Sequence, residues 1–129
     1  MTAETTTSEI ERIEQCLRTL RLNPGGDEYV VQMAIATALW KMGIPYQKEV
    51  KIGKRCRIDF LTEAGVGIEV KAGKPNSRQV HRQIARYGRC EPVQALVLVV
   101  ERNVFSVPTA CEGVPVHCVS LSANWGIAL

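Results

Sequence analysis

The chain has 129 residues, of which 46% are hydrophobic and 22% charged, a length and balance that exclude a wholly disordered polymer and leave no room for two large domains. Its +3 net charge is unevenly spread, with −3 over residues 1–28, no charge over 29–40, +7 over 41–91 and −1 beyond, so any anionic partner is expected at the middle of the chain. Five scattered cysteines without CxxC pairs or nearby His exclude a zinc site of ordinary spacing, and the absence of a signal peptide or membrane-length apolar run predicts reduced thiols in a soluble cytoplasmic protein that does not engage membranes.

Ser8 and Glu11 have capping-box spacing, and Ile10, Ile13, Leu17 and Leu20 follow at helical intervals, which predicts a first helix over about residues 9–22 behind a flexible tail, 1–8. The single domain is then 9–129. Asn23-Pro24-Gly25-Gly26 breaks the pattern, and Asp27 is placed to cap a second helix reaching about Met42 that is apolar over a broad face and expected to be mostly buried. Alternation with a period of two, broken by Lys48 in the first, predicts three strands of a meander, over about 46–52, 56–61 and 66–71, with turns at Gly53-Lys54 and Glu63-Ala64-Gly65. Asn76 or Ser77 caps a third helix to about Gly88, and the apolar run Gln94–Val100 suits a strand buried on both faces. Residues 103–115 read as a loop and 116–121 as a last strand. The fold class expected is α/β, one mixed sheet flanked by helices, with the third helix crossing over between two parallel strands.

Side chains two apart in a strand share a face, so Glu69 and Lys71 point together. With the hairpin turn centred on Ala64, positions summing to 128 lie opposite one another, which sets Ile58 against Val70, Arg57 against Lys71 and Asp59 against Glu69. Like charges directly opposite weaken a sheet unless a cation lies between them or one is protonated. Mg²⁺ would supply that cation, because it binds one or two carboxylates and keeps positions for water and phosphate. Lys71 is then placed to orient or deprotonate an attacking water.

The run Ile58-Asp59-Phe60 followed by Ile68-Glu69-Val70-Lys71 resembles the metal-binding core of the PD-(D/E)xK nuclease superfamily, with Arg57-Ile58 where that family's proline stands. The resemblance implies a restriction-endonuclease-like α-β-β-β-α-β core over about residues 28–100. It also implies that Asp59, Glu69 and the Val70 backbone carbonyl hold Mg²⁺, with Mn²⁺ able to substitute, and that Lys71 assists the water. Many members carry a helical glutamate ahead of the meander, for which Glu28 is the best candidate, although a first-turn acid is also a simple complement to the helix dipole. Gln83-Ile84-Ala85-Arg86-Tyr87 resembles the QxxxY helix of RecB-like nucleases, which would turn Gln83 and Tyr87 toward the site.

Arg78, Arg82 and Arg86 recur along the third helix without acids beside them, and Lys54, Arg55 and Lys74 flank the candidate site in sequence. A phosphate backbone is the natural partner for such a stripe. The expected function is therefore a Mg²⁺-dependent DNA nuclease, structure- or end-directed rather than sequence-specific. Small single-domain members of the superfamily act as homodimers on branched DNA, which makes a homodimer one possible state here, whereas the QxxxY resemblance points more toward ends or single strands; the sequence leaves both open. The alternatives are a non-catalytic nucleic-acid-binding module on the same fold, and a protein-interaction domain that merely retains the hairpin charges as an exposed cross-strand ion-pair patch.

Overall fold

The computed structural model describes residues 3–22, 27–71, 73, 76–102 and 107–125, the side chains of residues 3–7 and 125 aside. Among these the elements run α1 (Ala3–Leu17), α2 (Glu28–Lys41), β1 (Tyr46–Gly53), β2 (Cys56–Thr62), β3 (Val66–Lys71), α3 (Ser77–Gly88), β4 (Ala95–Val100), β5 (Ala110–Cys111) and β6 (Val114–Ser120), with a 3-10 turn over Ser122–Trp125. No helix among them is long and apolar enough to cross a membrane.

Both expected caps form: Asp27 accepts the Val30 N–H at 3.0 Å and Asn76 accepts the Gln79 N–H at 3.2 Å, each satisfying a donor with no partner inside its helix. The first helix departs from expectation. It begins at Ala3, so the predicted tail is helical from that residue and Ser8 lies inside the helix instead of capping it. It ends at Leu17 rather than near residue 22, where the Thr19 hydroxyl donates to the Cys16 carbonyl at 2.6 Å and satisfies a terminal acceptor.

The six strands form one mixed sheet in the order β1-β2-β3-β4-β6-β5. β1, β2 and β3 are an antiparallel meander, β3 and β4 are parallel, and so are β4 and β6. The expected crossover is present, with α3 joining the parallel strands β3 and β4. Two features were not anticipated: β6 starts at Val114, and the stretch read as a loop contains β5, which pairs Ala110 with Pro115 and Cys111 with Val114.

Each face of the sheet carries its own apolar core. On one, α1 and α2 bury Ile13, Leu17, Ile35 and Leu39 against Phe60, Ile68, Val97 and Val99; on the other, α3 buries Val80, Ile84 and Tyr87 against Leu96, Leu98 and Val100. Successive residues of β4 serve opposite cores, and this explains its uninterrupted apolar run. Burial of α2 is less complete than its composition suggests. Val31, Ile35, Ala38 and Leu39 are buried, whereas Tyr29, Val30, Met33 and Trp40 are exposed. A helix apolar all round gives no periodic signal of which face the core takes.

The β1–β2 hairpin changes face along its length. Tyr46 and Phe60 pack with the α1/α2 core, while Val50, Ile52, Cys56 and Ile58 pack with the α3 core, although all six occupy even-numbered positions. The change falls between the Lys48–Phe60 and Val50–Ile58 pairs, where Glu49 has φ 51°, in the left-handed region. Beyond it Ile58 lies over Gly67, where a Cβ would stand 2.4 Å from Ile58 Cδ1 and 3.2 Å from Leu96 Cδ2. Gly67→Ala should therefore cost about 1–3 kcal/mol of stability by overpacking, seen as a lower thermal midpoint, and Ile58→Val in the same chain should recover part of it. Equal loss in the single and double variants would contradict this packing.

Candidate active site

The β2–β3 ladder pairs Phe60 with Ile68 and Leu61 with Gly67, the register expected from a turn centred on Ala64. Beyond these pairs, side chains bridge the two strands. The Val70 N–H donates to Asp59 Oδ2 at 2.8 Å, and the Asp59 N–H donates to Glu69 Oε1 at 3.1 Å. Each carboxylate thus satisfies a backbone donor of the opposite strand, a strong charge-assisted bond in a partly buried setting. Asp59 and Glu69 therefore meet, but not as the opposed pair expected: backbone pairing ends at Phe60–Ile68, and Ile58 and Val70, expected face to face, lie in opposite cores, so the Ile58–Val70 and Arg57–Lys71 pairings do not form.

Glu69 is 7% exposed. Its Oε2 lies 2.8 Å from the Tyr87 hydroxyl and 3.4 Å from Lys71 Nζ. The same hydroxyl lies 3.1 Å from the Arg57 carbonyl. A phenol has one proton to donate, so these two acceptors share it. Burial first, and then the charge of Asp59, push the Glu69 carboxyl up to about 7, against the opposing pull of Tyr87, Lys71 and the Asp59 N–H. Burial and the neighbouring Glu69 charge also raise Tyr87 far above its ordinary range, which keeps its hydroxyl protonated as a donor. Protonated Glu69 can give its proton to Tyr87 while Tyr87 donates to Arg57; ionised Glu69 takes the Tyr87 proton instead. One hydrogen-bond chain therefore accommodates both charge states.

Gln83 stands between this buried pair and solvent. With Glu69 and Tyr87 it borders a void of about 10 Å³, room for a single water, and with Lys71, Gln79, Arg82 and Arg86 it lines an open groove. Any larger ligand must lie in the groove. The structure accordingly brings Asp59, Glu69, Lys71, Gln83 and Tyr87 together, with Arg82 and Arg86 at the groove beside them.

Other candidates stand elsewhere. Glu28 is exposed in the first turn of α2, and no three His, Cys, Asp or Glu side chains converge among the described residues. The expected third carboxylate is therefore not supplied by Glu28. Val70 contributes its N–H to Asp59 and buries its side chain in the α1/α2 core. Lys54 and Arg55 are exposed at the β1–β2 turn, Arg78 is exposed in the first turn of α3, and Lys74 lies outside the described residues. The Arg57 carbonyl and Asn76, which also lines the groove, had no place in the predicted site; a backbone acceptor leaves no mark in sequence, and Asn76 was read only as a cap. All five cysteines are free thiols.

Two carboxylates so placed fit a hard divalent cation. They are close enough that the charge of Asp59 opposes ionisation of Glu69, and a cation relieves that conflict. Comparison of the chain with protein-family models, with curated proteins and with solved structures finds no match in any of the three.

Two outcomes follow from the Glu69 environment. Its folded carboxyl titrates at about 7 against an ordinary 4.5, so the stability it contributes is present below about 4.5 and is lost as pH rises through about 7. In metal-free buffer the thermal midpoint should fall more steeply over this window in the wild type than in Glu69→Gln, and equal slopes would contradict the assignment. Tyr87→Phe should cost about 1–3 kcal/mol by leaving Glu69 Oε2 short of a donor. It should also move the wild-type pH window upward, because the lost bond favours the ionised form; a downward move would contradict the geometry.

Proposed function

We propose that the chain is a Mg²⁺-dependent nuclease that hydrolyses DNA phosphodiesters, a member of the PD-(D/E)xK superfamily in fold and chemistry. The observation that carries this reading is the reciprocal bonding of Asp59 and Glu69 at the open end of β2 and β3, with Lys71 3.4 Å from Glu69 and exposed to a groove lined by Arg82 and Arg86. Asp59 and Glu69 would hold the cation, whose charge offsets that developing on a phosphodiester under attack by water. Lys71 donates hydrogen bonds to the phosphate or to the attacking water, which it orients from the groove wall. Tyr87 fixes the Glu69 carboxylate, and Gln83 covers the path between Glu69 and the groove. Arg82 and Arg86 bind phosphates and read no bases, so the substrate is recognised by its shape or ends.

The second reading is a non-catalytic nucleic-acid-binding module on the same fold. It is favoured by the convergence of two acids, rather than three, among the described residues.

Labelled single-stranded, duplex and four-way-junction DNA incubated with Mg²⁺ or Mn²⁺ distinguishes the two. Metal-dependent cleavage is expected, abolished by EDTA and by Glu69→Ala while retardation of DNA persists; binding without cleavage of any substrate would favour the module, and cleavage undiminished in Glu69→Ala would overturn the site. Joint replacement of Arg82 and Arg86 by Ala should weaken DNA binding and reduce the slope of log K against log salt by about two. An unchanged slope would remove α3 from the interface.

A further inference from the structure

The exposed large hydrophobic side chains among the described residues, Tyr29, Val30, Met33 and Trp40, all stand on α2, at 66, 49, 43 and 76% exposure. The helix carries no charge from Tyr29 to Trp40. Its buried positions, Val31, Ile35, Ala38 and Leu39, occupy the opposite side. At about 100° per residue, Tyr29, Met33 and Trp40 fall within about 40° of one another, on a stripe about 16 Å long. The four side chains leave roughly 500 Å² uncovered, in the upper range for a patch on a soluble monomer and of the kind that marks an interaction site.

We infer that this stripe is the interface of a homodimer in which two α2 helices pack antiparallel about a two-fold axis. Three observations select a second copy as the occupant. Pairing two stripes buries up to roughly 800 Å² from Tyr29, Met33 and Trp40, and Val30 and Thr37 at its margin bring the total to about 1,000 Å², the area at which specific interfaces begin. The stripe is also self-complementary. With the axis between Met33 and Ala36, positions summing to 69 face each other, so each Tyr29 ring meets Trp40 of the second copy and each Met33 meets Ala36, a small half-buried side chain that also packs against the α1/α2 core of its own chain, in the reciprocal pattern that two-fold symmetry requires. Finally, an uncharged apolar surface is best matched by another, and the one such surface among the described residues is the stripe itself. Because α2 and α3 pack on opposite faces of the sheet, the pairing leaves the Arg82–Arg86 groove open in both copies. This inference stands independently of the activity proposed for the groove.

Sedimentation of the full chain tests it. The wild type should run as a 28.6 kDa species, twice the 14.3 kDa chain, at micromolar concentration. Met33→Glu and Ala36→Lys should each weaken self-association about a hundredfold, as loss of a central contact does. Mixed in equal amounts they should restore the dimer, because the introduced acid of one chain faces the introduced base of the other. Trp40→Ser, at a position 76% exposed and therefore tolerant of change in the monomer, should also give the single-chain mass, with an unaltered circular-dichroism spectrum. A wild type of single-chain mass at every concentration, a dimer indifferent to Met33→Glu and Trp40→Ser, or folded variants that fail to pair when mixed would overturn the inference.

Discussion

The reciprocal bonding of Asp59 and Glu69 is the constraint on which the rest of the site depends. Where β2 and β3 stop pairing through their backbones, the Asp59 and Val70 N–H groups are taken by the two carboxylates, and burying these donors without an acceptor would cost on the order of 1–3 kcal/mol each. The same two bonds force two acids into one partly buried place. A sheet stabilised at its open end in this manner carries an electrostatic conflict: burial first, and then the charge of Asp59, displace the Glu69 carboxyl upward. Protonation resolves it in part, and a divalent cation resolves it without neutralising either acid.

Around that point the fold separates two tasks. The face covered by α3 supplies Tyr87 to hold Glu69, Gln83 to screen it and Arg82 and Arg86 to line the way in. The face covered by α1 and α2 supplies most of the aliphatic core and presents an uncharged surface to solvent. β4, buried on both sides, carries packing from one face to the other. The change of face at Glu49 lets the hairpin serve both, with Phe60 in one core and Ile58 in the other. A non-glycine residue held at positive φ costs roughly 1–3 kcal/mol and persists where surrounding structure imposes it; here the strand pairs on either side of Glu49 do so.

Much of this was legible in the amino-acid order because the relevant signals are local. Alternation of apolar residues about Ala64 gave the β2–β3 register as far as Phe60–Ile68 and brought Asp59 near Glu69, although the two meet through side-chain bonds past the end of the ladder, and the four-residue spacing of Gln83 and Tyr87 put both on the sheet side of α3. Asp27 and Asn76 announced two helix starts through capping chemistry. What escaped depends on distant or backbone groups. Nothing in the residue type of Glu49 signals a left-handed conformation, and the Arg57 carbonyl has no side-chain signature. Glu28 precedes the meander as a third metal ligand should, yet its place relative to Asp59 is fixed by how α2 packs, which periodicity does not encode. The exposed side of α2 was hidden for a related reason: a helix apolar all round reads as buried all round. β5, two residues long, is shorter than any pattern that alternation can establish.

The proposed nuclease activity requires Asp59 and Glu69 to form one cation site. Titration of Mn²⁺ into the DNA-free chain at slightly alkaline pH, followed by electron paramagnetic resonance of the unbound ion, measures this most directly. Saturable binding is predicted for the wild type, weakened at least tenfold by either Asp59→Asn or Glu69→Gln and left intact by Glu28→Gln. Binding that survives both of the first two substitutions, or that is lost with Glu28→Gln, would contradict it.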